Sequence, residues 1–221
     1  MKKLYGIGTG PGDPELLTIK AVKSMENSHV IFAPNNKGTN MALDTAEEFI
    51  KGKNIVLIDF PMGSVTRRDY INAANIIEEN IPSGGKGAFL TIGDPMIYST
   101  FIYIMEELEE KEIDIEVIPG IPSFVASAAI SKVPLTVKGD NFILCDEFHE
   151  ELLEHGDSIG ILKTLKGKED ILKILEKNNY TYKYIKKASL KDEGILVDKE
   201  DILKDKNYIS LILARKNQED K

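Results

Sequence analysis

The chain has 221 residues, with Lys+Arg 28 against Asp+Glu 36 for a net charge of −8. This length buries a real core in one large or two small domains, and the acidic balance argues against a general electrostatic grip on nucleic acid or an anionic membrane. The single cysteine, Cys145, leaves no internal disulfide framework or thiol metal cluster; it reads as a small core hydrophobe in a reducing compartment.

Met1-Lys2-Lys3 starts like a signal peptide, but glycines and acids follow in place of an apolar run. No stretch approaches the roughly twenty apolar residues of a membrane span. A cytoplasmic protein is the expectation.

In chain order, Leu4 to Ile7 reads as a first strand, and Asp13-Pro14-Glu15 opens a helix to about Met25 with an N-cap, a proline at the first helical position and an early acid. His29 to Ala33 is a short apolar strand stopped by Pro34. Met41 to Lys51 is helical and closed by Gly52. Asn54 to Phe60 is a strand, Asp69 to Glu79 a helix, Lys86 to Ile92 a strand, Tyr98 to Lys111 a helix and Ile113 to Ile118 a fifth strand. The alternation predicts a mostly parallel sheet with helices on both faces.

The pattern resets at Pro119-Gly120-Ile121-Pro122-Ser123, which divides the chain into expected domains 1–118 and 119–221. A small-residue helix, Phe124 to Ile130, leads to strand-like runs at Phe142 to Cys145, Ser158 to Lys163, Tyr182 to Lys186 and Tyr208 to Ala214, with a helix at Lys168 to Lys177. These predict a mixed C-terminal sheet. The tail Lys216 to Lys221 reads as frayed.

Two glycine-bearing turns carry the chemistry. Gly6-Ile7-Gly8-Thr9-Gly10-Pro11-Gly12 lacks the third glycine of the dinucleotide fingerprint and the Lys and hydroxyl residue of a nucleotide-phosphate loop. Three glycines and a proline in five residues exceed what a plain strand-to-helix corner needs. Gly93-Asp94-Pro95 sets a carboxylate between a glycine and a rigid proline. Such a carboxylate accepts from ribose hydroxyls or faces an ammonium, and the blander alternative is an N-cap for the helix beginning near Tyr98.

Together with Pro119-Gly120-Ile121-Pro122-Ser123, these turns resemble the tetrapyrrole methylase family of S-adenosylmethionine-dependent methyltransferases, over Leu4 to about Ala214. Gly10-Pro11-Gly12-Asp13-Pro14-Glu15-Leu16-Leu17-Thr18, Gly93-Asp94-Pro95-Met96-Ile97-Tyr98-Ser99-Thr100-Phe101 and Lys187-Ala188-Ser189-Leu190 look most like the members that methylate C20 of precorrin-2 or its cobalt complex. The resemblance implies two αβα domains, a homodimer, and S-adenosylmethionine in the cleft between domains, leaving as S-adenosylhomocysteine. Carried over by position, the cofactor residues are Pro11, Ile92, Gly93, Asp94, Ile97, Ser99, Thr100, Pro122, Ser123, Lys163 and Ala188. Gly8 and Gly10 edge the tetrapyrrole trough, and Asp94 and Tyr98 are the candidates for the proton-transfer role. No protein-bound metal is implied, any cobalt arriving inside the substrate.

Two departures from the family pattern stand out: Ala33-Pro34 occupies the place of an aspartate found in uroporphyrinogen methylases, and Pro122-Ser123 replaces a Thr-Ala type pair. The substrate carries eight carboxylates, and only three arginines exist, Arg67, Arg68 and Arg215. Arg67 and Arg68 are the expected carboxylate partners, against the alternative that Arg68 pairs a nearby acid at a solvated helix start. The lysine-rich run Lys163 to Lys173 reads as mostly a solvated helix face. The rival functions are methylation of the metal-free substrate, another methylase of the same fold such as diphthine synthase, a tetrapyrrole carrier, and a nucleotide-binding module.

Overall fold

The computed structural model describes residues 1–35, 40–61 and 65–217. The chain forms two compact units, Met1–Pro122 and Ser123–Lys221, both α/β.

In the first unit, β1 (Lys2–Gly8), β2 (Val30–Asn35), β3 (Asn54–Asp59), β4 (Lys86–Thr91) and β5 (Ile113–Ile118) form one sheet in the order β3-β2-β4-β1-β5. All four pairings are parallel. Side chains alternate across it. Leu4, Phe32 and Phe89 pack with α3 (Arg67–Asn80) and α4 (Thr100–Leu108) through Ala73, Ile77, Phe101 and Ile104. Tyr5, Ile7, Ile31 and Leu90 pack on the other face with α1 (Ile19–Glu26) and α2 (Met41–Ala46) through Ala21, Met25, Ala42 and Ala46. Both faces are dry, which is why the central strands read as near-continuous apolar runs.

Several local expectations are corrected. Asp13 caps only a 3₁₀ turn, Pro14–Leu16, by accepting from the Glu15 N–H at 2.9 Å. Thr18 caps α1, its hydroxyl accepting from Ala21 N–H at 3.1 Å. β2 runs through Pro34 to Asn35, because its pairing with β4 ends at Phe32 and no ladder donor is needed on that side beyond it. The helix after residue 40 ends at Ala46 and continues as a 3₁₀ turn, Glu47–Phe49. α4 begins at Thr100, capped by Ser99, so the N-cap reading of Asp94 does not hold.

The second unit holds α5 (Ser123–Ser131), β6 (Phe142–Cys145), β7 (Ser158–Leu162), α6 (Lys168–Lys177), β8 (Tyr180–Lys186), β9 (Gly194–Leu196), α7 (Lys199–Lys204) and β10 (Ser210–Lys216), with strand order β6-β7-β10-β8-β9. Only β6 and β7 pair in parallel, so the sheet is mixed. Lys216 lies in β10, while residues 218–221 of the expected tail fall outside the described residues.

Lys163, Lys166 and Lys173 are exposed, as the reading of a mostly solvated face expects, and Lys168 is the exception. It is 6% exposed, its ammonium donates to the carbonyls of Ile202 and Asp205 at the end of α7, and it lies 5.1 Å over the Tyr184 ring. A buried ammonium is tolerated there because carbonyl oxygens and a ring face replace its water. Cys145 is buried, and that burial, followed by the charge of Asp146, pushes its thiol up to about 11.

Candidate functional site

β1 is hydrogen-bonded to β4 on one side and β5 on the other, all parallel, so their turns leave one sheet edge side by side. After β1 the chain passes to the α1 face, and after β4 to the α4 face. That divergence at the carboxyl edge is where open α/β sheets hold ligands.

The edge is built by close backbone approach. Gly10 and Gly93 exchange backbone bonds of 3.2 and 2.7 Å as an isolated antiparallel bridge, with φ of 73° and 71°. Thr9, fully buried, donates both its N–H at 2.9 Å and its hydroxyl at 3.1 Å to the Thr91 carbonyl. A Cβ on Gly8 would meet the Gly93 oxygen at 2.5 Å and the Gly120 nitrogen at 2.6 Å; one on Gly120 would meet that same oxygen at 2.1 Å. Gly8 and Gly120 therefore close on the Gly93 carbonyl so tightly that neither admits a side chain, while Gly93 itself has space for a Cβ and is constrained by its positive φ.

Asp94 ties the same turns together. One carboxylate oxygen accepts from Met96 N–H at 2.8 Å and the other from Gly120 N–H at 3.1 Å. About four lone-pair sites exist on a carboxylate, so capacity for a ligand hydroxyl remains. Beyond Asp94 the turn presents Ile92, Met96 and Tyr98, respectively 41%, 47% and 51% exposed. Tyr98 has φ 47°, a strained conformation of the kind that clusters at functional sites. Ser99 is buried, its hydroxyl 3.2 Å from that of Thr91.

Among the other residues carried over by position, Pro11 is buried and Ile97, Thr100 and Pro122 are half-buried. The Pro122 Cα is 3.9 Å from where a Gly93 Cβ would be.

In the second unit, Ser123 begins α5. β7 and β8 run the same way, each antiparallel to β10 between them, so Lys163 and Ala188 follow strands ending at one edge. Lys163, Lys187 and Ser189 have φ of 55°, 50° and 64°, three left-handed non-glycine residues around Ala188. The Ser189 hydroxyl is buried without a partner among the described residues. Lys163 pairs with Asp146 at 2.9 Å.

The arginine expectation divides. Arg67, the first residue of α3, pairs with Glu107 at 2.6 Å, and the bond to Glu107 raises the guanidinium pKa above its ordinary value. Arg68 makes no ion pair with the described residues, so the alternative of pairing with a nearby acid is met by Arg67 and not by Arg68. Thr66 and Asp69 form a capping box that starts α3; residues 62–64 of the expected arginine loop lie outside the described residues. Arg215 is an internal anchor, donating to the Pro134 and Leu135 carbonyls at 2.8 and 3.2 Å and to Asp140.

Sequence reasoning quoted the Pro119–Ser123 and Lys187–Leu190 segments and named Ala188, but gave no role of their own to Thr9, Gly120, Lys187 and Ser189. Gly120 was visible as a glycine between a strand end and prolines. The left-handed backbone at Lys187 and Ser189 leaves no such mark.

The family model described as Tetrapyrrole (Corrin/Porphyrin) Methylases matches residues 3–203. A Methanocaldococcus jannaschii protein named "Probable cobalt-precorrin-2 C(20)-methyltransferase" is 33% identical, over 98% of this chain and 97% of its own. The cobalt-precorrin-2 C(20)-methyltransferase of Salmonella typhimurium is 29% identical over 73% of this chain and 72% of its own. Among solved structures, the uroporphyrin-III C-methyltransferase of Thermus thermophilus complexed with S-adenosylhomocysteine superposes with a TM-score of 0.71 at 19% identity, over 96% of this chain and 97% of that one. This last likeness is one of fold.

Proposed function

The chain belongs to the tetrapyrrole (corrin/porphyrin) methylases, and from that premise we propose that it is an S-adenosylmethionine-dependent C-methyltransferase of cobalamin biosynthesis that methylates C20 of cobalt-precorrin-2 in the anaerobic route. The observation that carries the reading is the similarity to the Methanocaldococcus jannaschii protein, which runs through 98% of this chain and 97% of that one. It therefore includes substrate-facing as well as cofactor-facing segments.

The first unit's edge fits the cofactor. Gly93 at positive φ exposes backbone beside Asp94, whose carboxylate retains lone pairs for a hydroxyl, and the exposed Ile92 and Met96 give apolar contact area. In this reading Ile92, Gly93, Asp94, Ile97, Ser99, Thr100, Pro11 and Pro122 hold the cofactor on the first unit. When bound, S-adenosylmethionine supplies an electrophilic methyl to a nucleophilic carbon of the electron-rich ring.

The chain's share is then alignment and exclusion of water, for which fixed orientation is worth about 7–11 kcal/mol. Gly8 and Gly10 act by holding the turns at fixed spacing. Asp94 positions the edge through its bonds to Met96 and Gly120, and in this reading Tyr98 passes the acceptor carbon's proton to solvent. Arg68 meets a substrate carboxylate.

The test is turnover of the purified protein with cobalt-precorrin-2 and with metal-free precorrin-2, using a ¹³C-methyl donor and locating the new methyl by NMR. Methyl at C20 with the cobalt complex preferred is the expected result. Methyl at another carbon, or preference for the metal-free ring, would replace this reading with a different member of the family. S-adenosylhomocysteine at a hundred times its dissociation constant stabilises the folded protein by about 2.7 kcal/mol, and no thermal shift would sink every methylase reading.

A further inference from the structure

A polar network lies at the carboxyl ends of β7 and β8 in the second unit. Its centre is Asp205, directly after α7, with a side chain 7% exposed. One carboxylate oxygen accepts from the Tyr184 hydroxyl at 2.9 Å and the Asn207 N–H at 2.8 Å. The other accepts from the Lys186 ammonium at 3.0 Å and the Asn207 side-chain amide at 2.7 Å. The Asn207 carbonyl in turn accepts from the Ser210 hydroxyl at 2.9 Å, and that hydroxyl lies 3.3 Å from the hydroxyl of Thr164, which is 1% exposed. Thr164 follows Lys163 in the chain, and Lys186 leads into Lys187, whose N–H donates to the Ile209 carbonyl at 2.9 Å. Lys163 and Ala188 are thus joined by an unbroken path of hydrogen bonds and short stretches of chain, with Asp205 at its middle.

A buried ion pair is weak evidence for stability, because desolvation offsets its attraction, and its best-attested use is to fix one arrangement among several. Here there is an arrangement to fix. Lys163, Lys187 and Ser189 are left-handed without being glycine, and such backbone persists only where its surroundings over-determine it. We propose that Asp205 is a positioning residue for cofactor binding, a role that rests on the methyltransferase reading above. Its carboxylate ties the segments that follow β7 and β8, so that Lys163 and Ala188, cofactor positions carried over from the family, keep one spacing. Asp205 acts through Tyr184, Lys186 and Asn207 and does not itself touch the cofactor.

β8 supplies its own control. Tyr180, at the start of the strand and 4% exposed, donates its hydroxyl to the Leu153 carbonyl at 3.3 Å and to that of Gly156, far from the network at the other end. Calorimetric titration with S-adenosylhomocysteine well below the melting temperature, together with the Michaelis constants of both substrates, tests the role. Asp205→Asn and Tyr184→Phe should weaken S-adenosylhomocysteine by about 2- to 30-fold, the span for residues that act on a site through a hydrogen-bonded network, with Asp205→Asn the weaker binder. Both should raise the Michaelis constant for S-adenosylmethionine and leave that for the tetrapyrrole unchanged. Tyr180→Phe should lower the melting temperature and change neither constant. If Asp205→Asn does not fold, Tyr184→Phe, which keeps the buried ring, decides alone. Wild-type affinity in the folded variants, or an equal loss in Tyr180→Phe, would make the network merely structural and overturn the inference. A wild-type chain that binds no S-adenosylhomocysteine would instead remove the methyltransferase reading, and this role with it.

Discussion

Replacing Gly120 by alanine tests whether the glycines of the first unit set the spacing of the ligand edge. The new Cβ would lie 2.1 Å from the Gly93 oxygen, 2.7 Å from the Gly8 carbonyl carbon and 2.8 Å from the Gly8 Cα, all backbone atoms without a rotamer to yield. Restoring ordinary contact moves the Gly93 turn by roughly 1 Å, a displacement that costs about 100-fold in rate when it misaligns reacting groups. Overpacking of this kind costs about 1–3 kcal/mol, and each kcal/mol lowers the melting temperature of a chain this size by about 2–4 °C. Gly52→Ala is the control. Its Cβ meets nothing within 4 Å, but its φ is 76°, so it loses about 1–2 kcal/mol to backbone strain alone. Calorimetric titration with S-adenosylhomocysteine, beside thermal melts, separates the two. Gly120→Ala should lose affinity, turnover and stability, and Gly52→Ala stability only. If Gly120→Ala binds and turns over like wild type, the approach of Gly8 and Gly120 to the Gly93 carbonyl does not position the edge.

Asp94→Asn keeps the shape but leaves one acceptor atom for two backbone donors, and losing a hydrogen bond to a charged group costs about 1.5–3 kcal/mol. S-adenosylhomocysteine affinity should fall about tenfold or more by calorimetry, with turnover falling in proportion; wild-type affinity with turnover abolished would make Asp94 the proton acceptor instead. Arg68→Ala should raise the Michaelis constant for the tetrapyrrole several-fold, while Arg67→Ala, whose guanidinium is held by Glu107, leaves it unchanged; the reverse order would move the substrate contact to Arg67. Burial alone would raise the Asp205 pKa, but bonds from the Asn207 N–H, Lys186, the Asn207 amide and Tyr184 outweigh it and hold the carboxyl below its ordinary value. With the folded pKa depressed, the stabilisation is complete above the unfolded pKa of about 3.9 and is lost as pH falls below it toward the folded value. Urea melts from neutral pH down into the acid should therefore show a shallower acid loss for Asp205→Asn than for wild type, and an equally steep loss would show that other carboxylates carry it.

The strand-helix alternation was legible because the central strands of a parallel sheet are dry on both faces, as at Val30 to Ala33 and Ala88 to Leu90. α6 was legible from its own period. What escaped was decided by neighbours distant in sequence. Pro34 is tolerated in β2 because β4 has already stopped pairing. Lys168 is buried because the end of α7 presents carbonyls to it. β9 and α7 are three and six residues long, and α7 is mostly charged; both are too short for periodicity to mark.

At the candidate site, the residue types were visible but their work was not. The glycine turns held more glycines than a strand-to-helix corner needs, and the sequence did not say what the surplus served. The contacts of Gly8, Gly93 and Gly120 are with one another, and the room they make is for backbone. Asp94, too, spends a bond from each oxygen on the turns themselves. Fixing the edge in this way leaves recognition to the side chains that project from it. In the turn after β4 these are Ile92, Met96 and Tyr98, large apolar or aromatic groups with no charge among them. Such groups offer apolar contact area and no charge to a phosphate, and the glycine-rich turn after β1, with neither the Lys nor the hydroxyl residue of a phosphate loop, offers none either.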